Sequence, residues 1–182
     1  SENVTIRNSV FDGDLARGTG AGNGYGTGIG LSVQNSKGVA VDGNEFFNWT
    51  RGAVFGRVVN LQVLANDLHH IRSDGLDFAQ VNNVQIRNNH IHDFAAAPGT
   101  GDHRDMIQFW TTGTTGPTTN VTIYGNILDS GAGAWTQSIF MRNEAVDQLG
   151  SGPNMFYRNI RILDNVIHNA HSHGITVGET AG

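Results

Sequence analysis

The densest chemistry in the chain lies in Gly101-Asp102-His103-Arg104-Asp105-Met106-Ile107-Gln108-Phe109-Trp110. His103 titrates near neutrality and is suited to act as a general base. A neighbouring aspartate such as Asp105 would orient it. Arg104, or Arg142 further on, would neutralise a carboxylate, and an arginine fork matches that group bidentately. Trp110 offers a flat face for a sugar ring. A second cluster, Ser73-Asp74-Gly75-Leu76-Asp77, supplies two more carboxylates. Asp74 and Asp105 would serve as an acid/base pair if a water fits between them. Alternatively Asp74, Asp77 and Asp105 would hold Ca²⁺ through oxygen ligands. Gln108, Trp110, Arg142 and His173 are the expected substrate contacts. His69, His92 and His168 form a third group. They read first as a structural column, with a zinc site as the other reading.

These residues act together only if the fold aligns them, and one short phrase does that. Two apolar residues two apart, an asparagine and a further apolar residue recur six times, starting at Val4, Val39, Leu61, Val84, Val121 and Ile160. The columns are Val4/Val39/Leu61/Val84/Val121/Ile160 and Ile6/Val41/Val63/Ile86/Ile123/Ile162. They continue with Ser9/Asn44/Asn66/Asn89/Asn126/Asn165 and Phe11/Phe46/Leu68/Ile91/Leu128/Ile167. Apolar residues two apart mark a strand with one buried face. Each copy is too short to bury that face alone, so the copies must stack. Stacking predicts an asparagine ladder, with Asn also taking the turn conformation.

A second strand follows each phrase. Aligning these strands gives one column Thr27, Arg51, Asp74, Asp105, Gln137, His173 and another Gly30, Val54, Asp77, Gln108, Phe140, Thr176. Turns about 4.8 Å apart would bring the acids, His103, Arg142 and Trp110 onto one surface. That mixture of acids, bases, cations and an aromatic suits a sugar-binding groove. The intervals between copies are 35, 22, 23, 37 and 39 residues. A bare turn therefore takes 22 or 23 residues. Three turns carry insertions: Gly13–Gly26, then Ala95–Gly101 with Thr111–Thr119, then Asn143–Tyr157. In solenoids such insertions crowd onto one face, often the binding face.

This pattern resembles the right-handed parallel β-helix of the pectin-lyase-like superfamily. The expected fold is all-β: a single-stranded right-handed parallel β-helix of about six turns, forming one domain over residues 1–182. The chain starts inside a repeat and stops just after a strand, which predicts a fragment of a longer chain that lacks its caps. The wording of the repeats is similar to the modules of mannuronan C-5 epimerases and alginate lyases. That resemblance implies an enzyme that abstracts the C5 proton of a uronate in an acidic polysaccharide. The epimerases carry Asp-Pro-His, whereas this chain has Asp102-His103-Arg104-Asp105 with no tyrosine adjacent. Ser73–Asp77 and Ser172–Gly178 are similar to motifs of polygalacturonase-like hydrolases, the alternative enzyme class. The paired aspartates and the Arg-Ile-Lys motif of those hydrolases are absent. A non-enzymatic carbohydrate-binding or adhesin segment is the third reading.

Composition narrows the classes further. Glycine contributes 25 residues, which suits tight repeated turns more than helices. The net charge of −5 argues against nonspecific binding of nucleic acid. Cysteine is absent, so there is no disulfide framework and no thiolate site. No stretch is apolar and long enough to span a membrane. The expected location is secreted or at the cell surface.

Overall fold

The computed structural model describes residues 1–14, 28–97 and 99–181. Most of the glycine-rich insertion and Thr27 lie outside the described residues. The strands are β1 Glu2–Arg7, β2 Val10–Asp12, β3 Ile29–Asp42, β4 Glu45–Phe47, β5 Arg51–Leu64 and β6 Asp67–His69. Then come β7 Asp74–Ala79, β8 Asn82–Arg87, β9 His90–His92, β10 Asp105–Trp110, β11 Thr119–Tyr124 and β12 Ile127–Asp129. The last are β13 Gln137–Met141, β14 Tyr157–Leu163, β15 Val166–His168, β16 Ile175–Val177 and β17 Thr180–Ala181. Among the described residues the helical pieces are α1 Glu144–Asp147 and a 3-10 turn at Pro153–Met155. No described helix is long and apolar enough to cross a membrane.

Every recorded strand pair is parallel, and each strand pairs with the strand one turn away. The long strands β3 and β5 bend through a corner and so belong to two faces. One face runs β3, β5, β7, β10, β13, β16, and a second runs β1, β3, β5, β8, β11, β14. The third face is a six-stranded sheet of three-residue strands, in the order β15-β12-β9-β6-β4-β2. The expected solenoid is what forms.

The core follows from period-two patterning. Leu61 and Val63, Val84 and Ile86, and Val121 and Ile123 are buried in register in successive turns. The middle residues of the short strands, Phe46, Leu68, Ile91 and Leu128, close the third side. Aromatic rings stack along the axis, with Phe55–Phe78 centroids 5.2 Å apart and Phe78–Phe109 4.8 Å apart. Parallel stacking of like residues brings like rings into the offset contact they favour.

The asparagine ladder is continuous from Asn44 to Asn165. The Asn44 amide Nδ2 donates to Asn66 Oδ1 at 3.0 Å. Asn66 donates to Asn89 at 2.9 Å, Asn89 to Asn126 at 2.9 Å and Asn126 to Asn165 at 2.8 Å. Each of these side chains also donates to a backbone carbonyl, such as Asn89 to Val63. The left-handed turn conformation falls elsewhere than expected. The residue just before each ladder position takes it, for example Asn88 with φ 56°, Gly43 with φ 63° and Gly125 with φ 66°. Bonding and turning are thus divided between neighbours. Ala65 occupies one such corner with φ 52°. A left-handed conformation costs an alanine about 1 kcal/mol that asparagine or glycine largely escapes. Ala65→Asn is expected to raise the unfolding free energy by roughly 0.5–1 kcal/mol in urea titrations.

The first turn is registered two residues away from the expected alignment. Ile29, not Thr27, pairs with Arg51, and Ser32, not Gly30, pairs with Val54. The later turns keep the expected register: Val54, Asp77, Gln108, Phe140 and Thr176 are aligned. In the first turn, small residues at Gly28 and Gly30 leave the sequence without a marker of the outward face.

Candidate functional site

The site grows from the face of β5, β7, β10, β13 and β16. Period-two geometry turns Asp77 and Gln108 away from the core, since they alternate with the buried Leu76 and Phe78 and with Ile107 and Phe109, while Asp74 and Asp105 stand three residues earlier, at the first positions of β7 and β10. Yet Asp77 and Asp105 have fully buried side chains, and that of Asp74 is 3% exposed. A second row of side chains covers them. Arg51 Nε lies 3.4 Å from both Asp74 Oδ2 and Asp77 Oδ2. Its guanidinium also sits 5.5 Å from the Trp110 ring centroid, within cation–π range. Arg51, Gln108, Trp110, Thr112 and Glu144 line a shallow groove beside it. Another depression, which includes Asn60, Gln62, Asn83 and Gln85, carries no titratable group.

His103 covers the third carboxylate. Its Nδ1 lies 2.8 Å from Asp105 Oδ2, and its side chain is 52% exposed. The pair is close but not aligned as a full hydrogen bond, since both Asp105 oxygens lack an aligned donor. The contact is a close approach of the imidazole to the carboxylate. On the far side of the ring, the Gln137 amide Nε2 lies 2.7 Å from His103 Nε2. Gln137 Oε1 in turn lies 2.5 Å from His173 Nδ1. An amide nitrogen can only donate, so this orientation gives His103 a proton on Nδ1 and a lone pair on Nε2. The proton positions follow from the network.

The electrostatics agree with the burial. Burial is the main force pushing the Asp74 carboxyl up to about 6, with Arg51 pulling the other way. The same cause holds Asp77 well above the ordinary carboxylate range, and the neighbouring Asp74 adds to it. Burial also raises Asp105, against the hydrogen-bonding attraction and charge of His103. The close Nδ1 contact with Asp105 is the main cause that raises His103, and the Asp105 charge adds to it, while burial and Arg142 oppose.

The other candidates separate. Arg104 turns away and donates from Nε to the Trp135 carbonyl at 2.7 Å. Arg142 is 44% exposed, lies 3.4 Å from Asp147, and is near enough to influence His103. Trp110 and Gln108 are half-buried on the groove side. Tyr157 is buried with its hydroxyl donating to the Arg142 carbonyl, so it is not presented to the groove. Ca²⁺ fits poorly between Asp74 and Asp77, because the Arg51 guanidinium already fills the cationic position there. Two residues without an assigned role in the sequence, Arg51 and Gln137, complete the site. Their only signal was membership of the same column as Asp74, Asp105 and His173. Trp135 was also missed. It is 69% exposed and stacks on His171 with centroids 4.5 Å apart.

Residues 1–182 match the family model described as "Right handed beta helix region". The chain belongs to that family. A sequence search finds no match among curated proteins. The β-helix is similar to the crystal structure of an alginate lyase from Paenibacillus sp. strain FPU-7, at 10% identity. That match covers 91% of this chain and 83% of the other, with a TM-score of 0.33. A superposition this loose does not bear on function.

The buried acids make the stability of the β-helix pH-dependent. A carboxyl whose folded pKa is raised binds its proton more tightly in the folded state. Its contribution is therefore lost as pH rises from the unfolded value through the folded one. For Asp74 that window runs from 3.8 to about 6, and Asp77, held well above its ordinary value, acts in the same direction. Unfolding free energy is expected to fall between pH 4 and pH 8. Asp77→Asn should flatten this slope and be more stable than the parent at pH 8. Denaturant titrations across that range check both, and an unchanged slope would mean Asp77 is not protonated in the fold.

Proposed function

We propose that the β-helix is a carbohydrate-active enzyme that abstracts the C5 proton of a uronate in an acidic polysaccharide, as a lyase or C-5 epimerase. The observation that carries this reading is the arrangement of His103: half-exposed, backed at Nδ1 by a buried carboxylate, with its Nε2 lone pair held by the Gln137 amide. Substrate would displace the Gln137 amide from Nε2. Nε2 then takes the C5 proton, and the C5–H electron pair passes into the adjacent carboxylate as an enolate. Asp105 stabilises the imidazolium that forms. Arg142 is the cation for the uronate carboxylate: it is 44% exposed and, among the described residues, paired only at Nε, with Asp147 at 3.4 Å, whereas Arg104 is turned to a carbonyl and Arg51 is held by two aspartates. Neutralising that carboxylate lowers the barrier to C5 deprotonation. Return of the electrons to form C4=C5 expels O4 in a lyase. Reprotonation on the other face inverts C5 in an epimerase. Trp110, Gln108 and His173 would contact neighbouring sugar units. No step requires Ca²⁺.

A hydrolase using Asp74 and Asp105 draws on the raised Asp74, a property of a general acid. It has less support because both carboxylates lie beneath other side chains, out of reach of a glycosidic oxygen in the groove. The test is incubation with alginate and polygalacturonate, following ultraviolet absorbance for unsaturated uronate, reducing ends, and proton NMR of the polymer. Rising absorbance or inverted C5 supports the proposal. New reducing ends without absorbance would move the chemistry to the aspartates. Binding with no product would leave a carbohydrate-binding segment of the secreted or cell-surface kind.

A further inference from the structure

The third face carries a cluster unrelated to this chemistry. In the three-residue strands the middle side chain points inward, so the two end residues point outward. Asp67 pairs with His90 and His69 with His92 across β6 and β9, and Glu45 pairs with Asp67 across β4 and β6. The result is an outward lattice of Glu45, Asp67, His69, His90 and His92. One ligand atom from each of Asp67, His90 and His92 lies within 4.8 Å of the other two.

His92 is set up as a ligand. Its Nδ1 lies 2.7 Å from Asp93 Oδ2 and its Nε2 lies 2.9 Å from Asp67 Oδ1. If Nδ1–H donates to Asp93, the Nε2 lone pair faces a carboxylate oxygen. That contact is favourable only with a cation or a second proton between the two atoms. A carboxylate accepting the distal N–H of a histidine is the usual support of a metal-bound imidazole. His90 Nδ1 lies 3.8 Å from the same Asp67 oxygen. A tetrahedral ion with bonds near 2.0–2.1 Å spaces its ligand atoms by about 3.3 Å. The two observed separations straddle that value, and the His90 ring, now stacked on His92 with centroids 4.0 Å apart, would turn off that stack to meet an ion.

We propose that Asp67, His90 and His92 form a binding site for a first-row divalent transition ion such as Zn²⁺, with Asp93 orienting His92. Two imidazoles and one carboxylate select such ions over Ca²⁺ and Mg²⁺, which take oxygen ligands. The overlapping triad of Glu45, Asp67 and His69 shares Asp67. It has a single imidazole, His69, whose Nδ1 faces His70 Nδ1 at 2.7 Å rather than a carboxylate that would orient it.

The test uses untagged, metal-stripped protein titrated with Zn²⁺ by calorimetry and with Co²⁺ by visible absorption. One equivalent is expected to bind, with the intense Co²⁺ bands of a four-coordinate site. His92→Ala and His90→Ala should each weaken binding by about tenfold or more, and Asp93→Asn by about tenfold. His103→Ala and His173→Ala should leave the stoichiometry at one. Circular dichroism melts of each variant separate lost binding from lost folding, and half-buried Asp93 gives a variant that keeps both histidines. Absence of binding by the parent protein would overturn the proposal. So would binding that survives in the His90/His92 double variant or disappears in His103→Ala.

Discussion

His103→Ala is expected to lower uronan turnover by about a thousandfold while leaving polymer binding nearly intact. A positioned general base contributes roughly 10²–10⁴ in rate, and among the described residues His103 is the histidine that meets a fully buried carboxylate. Asp105→Asn adds a reading that a merely structural role would not give. Asp105 raises the pKa of His103 above its ordinary 6.5. The base works only when deprotonated, so activity should fall as pH drops through that raised value. Removing the Asp105 charge lowers the His103 pKa, and the acid limb of kcat/KM should move to lower pH. A His103→Ala variant with parental activity, or an Asp105→Asn variant with an unmoved acid limb, would remove His103 from the mechanism.

Gly75→Ala is expected to destabilise the protein by roughly 3 kcal/mol or more and to disable the site with it. A Cβ at Gly75 would stand 2.5 Å from the Met106 carbonyl oxygen and 3.2 Å from Ile91 Cγ2. The first neighbour is backbone of the adjacent turn and cannot rotate away, so the cost exceeds the 1–3 kcal/mol typical of overpacking. Gly52 repeats the arrangement one turn earlier, where an added Cβ would stand 2.5 Å from the Gly75 carbonyl oxygen. Gly75 lies between Asp74 and Leu76, and moving it moves the carboxylate that holds Arg51. Gly101→Ala is the control, because a Cβ there meets nothing within 4 Å. Its stability should change by no more than about 0.5 kcal/mol. Equal urea midpoints for the two variants would mean the turns can separate at β7.

The solenoid was legible because its determinants are local and repeated. Val84, Ile86, Asn89 and Ile91 each announce a face, and the ladder bonds of Asn89 follow from alignment with Asn66 and Asn126. The division between Asn88 as the turning residue and Asn89 as the bonding one was not legible. Both are asparagines, and only φ tells them apart. The acids and His103 stood out as candidates because their types are unusual beside a strand. Arg104 and Arg142 look equivalent in sequence, and only the course of the flanking loops shows one turned to a carbonyl and the other half-exposed beside Asp147. Arg51 escaped notice because its partners come from the next turn. That the aspartates lie under other side chains could not be read from an outward register, since it depends on what neighbouring turns place above them.

The ladder also has a bearing on inheritance. Each asparagine bonds only to the turns immediately before and after it, so the rule that sets register is blind to how many turns there are. A bare turn such as the 22 residues from Asn44 to Asn66 could be duplicated or deleted with the same bonds remade at the seam. Each such event would lengthen or shorten the molecule by one rung of about 4.8 Å, leaving His103 and Asp105 where they are. The span of polymer held and the reaction performed on it would then be separate traits, the first counted in whole turns.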